Sequence, residues 1–261
     1  MKGQKAATIV SLLAVTVLVA GGIGLLCLPC IAADADSLAE GLVLYLSFDD
    51  VREIAGLKVI LDGSGHSNDG VLVSGKLAEG KFGKAFQCQA INKADEIRVK
   101  DHDSLDLDTV TVAAWIRTDQ IDGQWNRILD KGWRESYNLC IGGDYQGQSW
   151  YRNRAQLECA HTALTSKAPV VDGKWHHVVG VFDGRSSRIY IDGVLNVEAK
   201  YERAVSMKHN DVDVRIGSLA VPEPRPDDQA FFDGLIDEIR LYNRALSDRE
   251  IERLYQCEPI Q

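Results

Sequence analysis

At 261 residues the chain is long enough to bury one sizeable core, and 45% hydrophobic with 26% charged residues is an ordinary globular composition. Lys2 and Lys5 are the only charges in the first 33 residues, so 27 of the 29 basic residues remain in the body against 38 acidic ones, a balance of −11. An acidic body argues against nucleic acid and anionic membrane surfaces as partners, because phosphate binding wants a basic face.

The chain opens with those two lysines and an uncharged run from Ala6 to Ala33. Residues 1–35 therefore read as a secretory signal peptide with a cleavage point near Ala32-Ala33-Asp34-Ala35, or as an uncleaved N-terminal membrane anchor. Either way the body, about residues 38–257, is expected to be secreted or held on the outer face of a membrane. The membrane enters only through this segment, if it stays uncleaved.

From Gly41 onward the chain is a series of short strand signals with turns between them. Leu42–Phe48 alternates, with Leu42, Leu44, Leu46 and Phe48 on one face. A dense turn signal, Asp62-Gly-Ser-Gly-His-Ser-Asn-Asp-Gly70, follows. Ile97–Val99, Val110–Arg117, Ile128–Lys131, Tyr137–Ile141 and Ala155–Ala160 come next. Then three runs, Trp175–Phe182, Arg188–Asp192 and Val194–Ala199, form a meander whose second turn is Asp192-Gly193, a strong two-residue hairpin signal. Val212–Gly217 and Gly234–Tyr242 complete the set, with a Pro-containing surface loop expected over Val221–Asp228. Ser247 and Glu250 make a capping box and Leu246 with Ile251 a hydrophobic staple, predicting one short C-terminal helix. Many short strands at such spacing predict an all-β fold, a sandwich or a jelly roll, with that helix at its end.

Export changes the meaning of the cysteines. Cys88, Cys140, Cys159 and Cys257 remain in the body and allow three pairings. Cys140 and Cys159 lie in neighbouring strand runs, and a disulfide between them would stabilise by roughly 3 kcal/mol; Cys88 with Cys257 would be the complement. The alternative is buried free thiols. His176 and His177 are adjacent on a strand, so their side chains diverge and cannot share one metal ion without a bulge.

The segments FDD, DGSGHSNDG, GKFGKAF, TVTVAAWIRTD, DGKWHHVVGVFDGRSSRIYIDGVL and GLIDEIRLYNRALSDREI occur in that order. Together they resemble the laminin G-like jellyroll family of the concanavalin A-like lectin/glucanase superfamily, over about residues 42–256 with the core signature at about 108–246. The resemblance implies a two-sheet antiparallel jellyroll sandwich, usually secreted, often disulfide-bonded and often calcium-binding, that binds carbohydrate or an extracellular protein and does not catalyse. Asp237, on the aliphatic face of Gly234–Tyr242 by strict alternation, needs a partner. Asp49 and Asp237 look similar to the acids that hold a structural calcium in related jellyrolls, with Asp62 and Asn68 at the nearby turn; a hard cation wants six to eight oxygens.

Glycoside hydrolysis is the enzymatic alternative within the superfamily. It needs two carboxyl groups flanking the scissile bond. The Glu-x-Asp-x-(x)-Glu run of its retaining members is absent, since the matching positions around Asp237 are Leu235, Ile239 and Arg240. The ligand-binding candidates are Tyr145, Trp150 and Tyr151, in a loop that interleaves aromatics with amides, and Trp125 in a neighbouring loop. Exposed aromatics beside amides can stack and hydrogen-bond a sugar. The other reading of these rings is packing over the end of the sandwich.

Overall fold

A computed structural model describes residues 38–89, 95–121, 125–143, 149–220 and 230–256. The signal or anchor segment, Tyr145, Cys257 and the Val221–Asp228 loop lie outside the described residues. The strands in chain order are β1 (Leu42–Leu46), β2 (Val51–Ile54), β3 (Leu57–Ile60), β4 (Gly70–Ser74), β5 (Lys76–Glu79), β6 (Lys84–Cys88), β7 (Glu96–Val99), β8 (Val110–Arg117) and β9 (Trp125–Lys131). They continue as β10 (Tyr137–Gly142), β11 (Arg154–Cys159), β12 (Thr162–Pro169), β13 (Trp175–Phe182), β14 (Ser186–Ile191), β15 (Val194–Lys200), β16 (Val214–Ile216) and β17 (Gly234–Tyr242), and helix α1 (Asp248–Gln256) ends the described chain.

The strands form two antiparallel sheets. An eight-stranded sheet runs β15-β14-β13-β8-β17-β6-β5, with β1 also paired to β17. A nine-stranded sheet runs β12-β11-β10-β9-β16-β7-β4-β3-β2. Between them lies one continuous apolar core drawn from both sheets, including Leu44, Phe86, Ile116, Leu139, Leu157, Val178 and Ile239. Gly180 lets the layers approach: a Cβ there would lie 2.6 Å from Leu157 Cδ1.

The meander forms as expected. Asp192 and Gly193 both take positive φ, 52° and 79°, which is the geometry a two-residue hairpin turn demands and Gly tolerates without strain. The capping box also forms, with Ser247 N–H donating to Glu250 Oε2 at 2.8 Å. Leu246, Ile251 and Leu254 bury against Val179, Val181, Tyr190 and Tyr242 on the outer face of the eight-stranded sheet. Each such side chain contributes about 1.5–3 kcal/mol of burial. This is why β8 is buried on both faces until Arg117.

Strands β2, β3, β4, β5, β6 and β12 go beyond those predicted from the pattern; β2, for one, is exposed at three of its four positions and carries no alternation to read. The pattern also fails at β17. A β-bulge between Asp237 and Arg240, with Glu238 at φ 53°, shifts the alternation by one. Ile236 and Ile239 both face the core, while Asp237 pairs in register with Trp115 and so with the outward row. Asp237 is thus not on the aliphatic face, as strict alternation predicts.

Candidate functional site

The outer face of the nine-stranded sheet carries an aromatic shelf at one rim. β9 begins at Trp125, which is registered opposite Gly142 at the end of β10. The turn Ser149–Asn153 folds back over that end, fixed by Arg152 N–H to Ser149 O at 3.0 Å, Asn153 N–H to Gly142 O at 2.9 Å and Val170 N–H to Asn153 O at 2.8 Å. These bonds seat Tyr151, 3% exposed, against Trp125, with ring centroids 5.2 Å apart and planes at 22°. Trp150 stands edge-on to Tyr151 at 4.8 Å and 78°, and is 64% exposed. Tyr151 is therefore the packed centre of the group and Trp150 its exposed ring.

Beyond the shelf the same face holds an ionic row that the strand pattern contained but that was not singled out. Asp130, Asn138 and Glu158 are paired in register across β9, β10 and β11, with Arg215 of β16 opposite Asp130. Arg127 lies among them: Nε is 3.3 Å from Asp130 Oδ2, and Nη1 donates to Asn138 Oδ1 at 2.6 Å and Glu158 Oε2 at 3.4 Å. Burial pushes the Asp130 carboxyl up to about 6 against the pull of Arg127. The alternation of Asn138 with Leu139 and of Gln156 with Leu157 was the available signal.

The four candidate calcium ligands separate into two pairs. Asp237 wraps one face of the turn between β5 and β6, where Oδ2 accepts from Lys81 N–H at 2.9 Å and Phe82 N–H at 3.0 Å. Asp49 Oδ1 accepts from Lys84 N–H at 2.7 Å on the same turn. Burial pushes the Asp237 carboxyl up to about 7 despite these donors, with Glu238 beside it adding to the rise. The two carboxylates on this turn, Asp237 buried and Asp49 exposed, make up only part of the six to eight oxygens a hard cation wants.

Asp62 and Asn68 serve a different turn. Asp62 accepts from Tyr45 N–H, Ser64 N–H, Ser64 Oγ–H and Asn68 N–H, which uses all of its acceptor positions on protein donors. The Asn68 amide donates to Val43 O at 2.7 Å and Ser104 Oγ at 2.9 Å. No cluster of three or more His, Cys, Asp or Glu side chains suited to a metal occurs among the described residues.

The proposed Cys140–Cys159 disulfide does not form. Cys159 pairs with Tyr137 and faces the core, whereas Cys140 pairs with Gln156 and Arg127 on the outer face. The two lie three pairs apart, about 10 Å along the strands, and point in opposite directions, beyond the reach of a disulfide. Cys88, Cys140 and Cys159 are free and buried. Burial pushes the Cys140 thiol up to about 12, which makes it inert. The histidines diverge: His177 is buried between Trp115 and Tyr255, and His176 bridges Asp192 at 2.9 Å and Asp172 at 3.1 Å.

Residues 92–252 match the concanavalin A-like lectin/glucanases superfamily, and the chain belongs to it. Among solved structures it is similar to domain 4 of AbnA, a GH43 extracellular arabinanase from Geobacillus stearothermophilus, in complex with arabinotriose, at TM-score 0.59 and 19% identity over 82% of this chain and 98% of that one. It is similar to the binding domain of Paraclostridial mosquitocidal protein 1 at TM-score 0.62 and 15% identity, over 84% of this chain and 52% of that one. The binding domain of botulinum neurotoxin DC in complex with rat synaptotagmin II gives TM-score 0.57 and 11% identity, again over 84% and 52%. The chain thus spans about half the length of these toxin domains. At such identities the likeness is one of fold. No curated protein sequence matches the chain.

Proposed function

We propose that this member of the concanavalin A-like lectin/glucanases superfamily is an extracytoplasmic carbohydrate-binding module that performs no catalysis. The observation that carries the reading is Trp150, an indole 64% exposed yet held edge-on by a buried neighbour. A large apolar ring kept in water on a fixed base is a stacking platform, and the C–H face of a pyranose or furanose is the ligand such a ring suits. Trp125 extends the shelf, and Tyr145 belongs to the same loop in sequence. The buried carboxylates Asp130, Glu158, Asp237 and Glu238 are tied to protein partners, which keeps these four from flanking a glycosidic bond. A glycan array with wild type and Trp150→Ala tests the proposal: saturable binding lost in the variant supports it, and binding unchanged in the variant sinks it.

One observation favours a protein ligand as the second reading. Val194, Leu195 and Tyr255 are 69%, 43% and 38% exposed around the β14–β15 hairpin and the end of α1, an apolar surface of the kind protein partners cover. A negative array together with binding to a cell-surface protein, lost in Leu195→Asp, would favour it.

Within either reading we propose a structural calcium at the turn between β5 and β6, held by Asp49 and Asp237 without Asp62 or Asn68. The ion would supply charge compensation for the buried Asp237 carboxylate and tie β17 to the turn.

A further inference from the structure

We infer that Trp133 is the platform of a second sugar site, at the far end of β9 from the Trp150 shelf. The inference rests on the carbohydrate reading and says where else on the chain that class of ligand is bound. β9 opens at Trp125, on the shelf, and closes at Lys131, two residues before Trp133. Its seven residues hold the two ends roughly 20 Å apart, too far for one trisaccharide to touch both rings. A bulky residue in left-handed backbone is strained, and Trp133 has φ 56°. Two side chains of the buried ionic row hold it there. The Trp133 N–H donates to Asp130 Oδ1 at 2.7 Å, and the Trp133 carbonyl accepts from Asn138 Nδ2 at 3.3 Å. Asp130 and Asn138 are fully buried, and Arg127 and Glu158 fix them in turn. The turn is also stapled to its neighbours: Arg134 O accepts from His161 N–H at 2.7 Å, Ser136 O from Ala160 N–H at 3.2 Å and Glu135 O from Lys208 N–H at 2.9 Å.

The indole carried by this construction is nevertheless 50% exposed. Stability does not account for it, because strained backbone and desolvated charges both oppose folding and a half-exposed ring offsets only part of that. The result is a large apolar surface kept in water at a fixed position, which stacking on the C–H face of a sugar requires. The surroundings suit a sugar better than a protein partner. Protein partners cover contiguous apolar patches, whereas among the described residues of the β9–β10 and β11–β12 turns Trp133 is the one large exposed hydrophobic. Its neighbours on the same turn, and on the segments stapled to it, are groups that can hydrogen-bond hydroxyls: Arg134, the Glu135–Lys208 pair at 2.7 Å and exposed His161.

The experiment labels the intact chain with 5-fluorotryptophan, giving one fluorine resonance for each of its five tryptophans, and assigns two of them with Trp133→Phe and Trp150→Phe. The probes are trisaccharides of arabinan, xylan, galactan and β-1,3-glucan. The expected result is a saturable shift of both the Trp133 and the Trp150 resonance with at least one trisaccharide. Calorimetry with that sugar should count two sites on wild type and one on Trp133→Gly. Glycine takes φ 56° without strain, so the melting temperature of Trp133→Gly should stay within about 2 °C of wild type or rise. A fall of more than about 5 °C would mean that the ring holds the turn together, and would overturn the site. A shift of Trp150 alone overturns the second site and leaves the shelf reading standing. A shift of Trp133 alone supports the second site and removes the shelf. A shift of neither overturns both the inference and the reading beneath it.

Discussion

Tyr151 lies so close over Gly142 that a Cβ on the glycine would meet the tyrosine carbonyl oxygen at 2.6 Å. The contact is with backbone, so the turn as a whole must move if the space is filled. Gly142→Ala is therefore expected to lift the Ser149–Asn153 turn, unstack Tyr151 from Trp125 and weaken glycan binding about tenfold or more, with only a small loss of thermal stability. Calorimetric titration against a glycan bound by wild type checks this; unchanged affinity would show that the turn's position does not matter to the ligand.

The carboxylate of Asp237 accepts from the N–H groups of Lys81, Phe82 and Glu238. Each buried donor left orphaned costs about 1–3 kcal/mol, so Asp237→Ala is expected to lose more than about 2 kcal/mol in urea denaturation. Calcium is expected to raise the melting temperature of chelator-treated wild type but not that of Asp237→Asn or Asp49→Asn. A wild type indifferent to calcium would remove the ion from the proposal while leaving the hydrogen-bonding role of Asp237.

His176 should make stability depend on pH. Its hydrogen bond to Asp192 raises its pKa, against the opposing effect of burial, and Asp172 adds to the rise. A histidine with a raised folded pKa contributes stability that is fully present below its unfolded value, about 6.5, and is lost as pH rises through the folded value. The melting temperature of wild type should therefore fall more than that of His176→Gln as pH rises above about 6.5. Parallel curves for the two proteins would refute the assignment.

Arg127 is 1% exposed and holds Asn138, Glu158 and Asp130 in one buried row. Arg127→Ala removes the cation paired with buried Asp130 and leaves Glu158 only its longer contact to Arg134, and should cost about 3–5 kcal/mol, whereas Asn138→Ala removes no charge and should cost less. Chemical denaturation of the two variants orders them.

Alkylation of the denatured protein without reductant, followed by mass spectrometry, should find no peptide linking Cys140 to Cys159. Finding that link would mean that β10 and β11 pair in a different register.

The periodicity of the sequence by itself determined the class of fold, the meander from Trp175 to Lys200 and the capped helix at Asp248. In each case the information is local: alternation, an Asp-Gly turn and a Ser-x-x-Glu box act within a few residues. The identity of the aromatic shelf residues was legible too, since Trp150 and Tyr151 lie next to each other in the chain. Only the tertiary structure decided which ring is buried and which is presented, because that depends on Trp125 and Gly142 arriving from two other strands. It also decided the fate of the charged and sulfur residues. One bulge at Glu238 reversed the facing of Asp237, and one parity relation between β10 and β11 separated Cys140 from Cys159. A side chain's neighbours across a sheet are set by register, and register is a property of the paired strands, which neither strand's sequence contains alone.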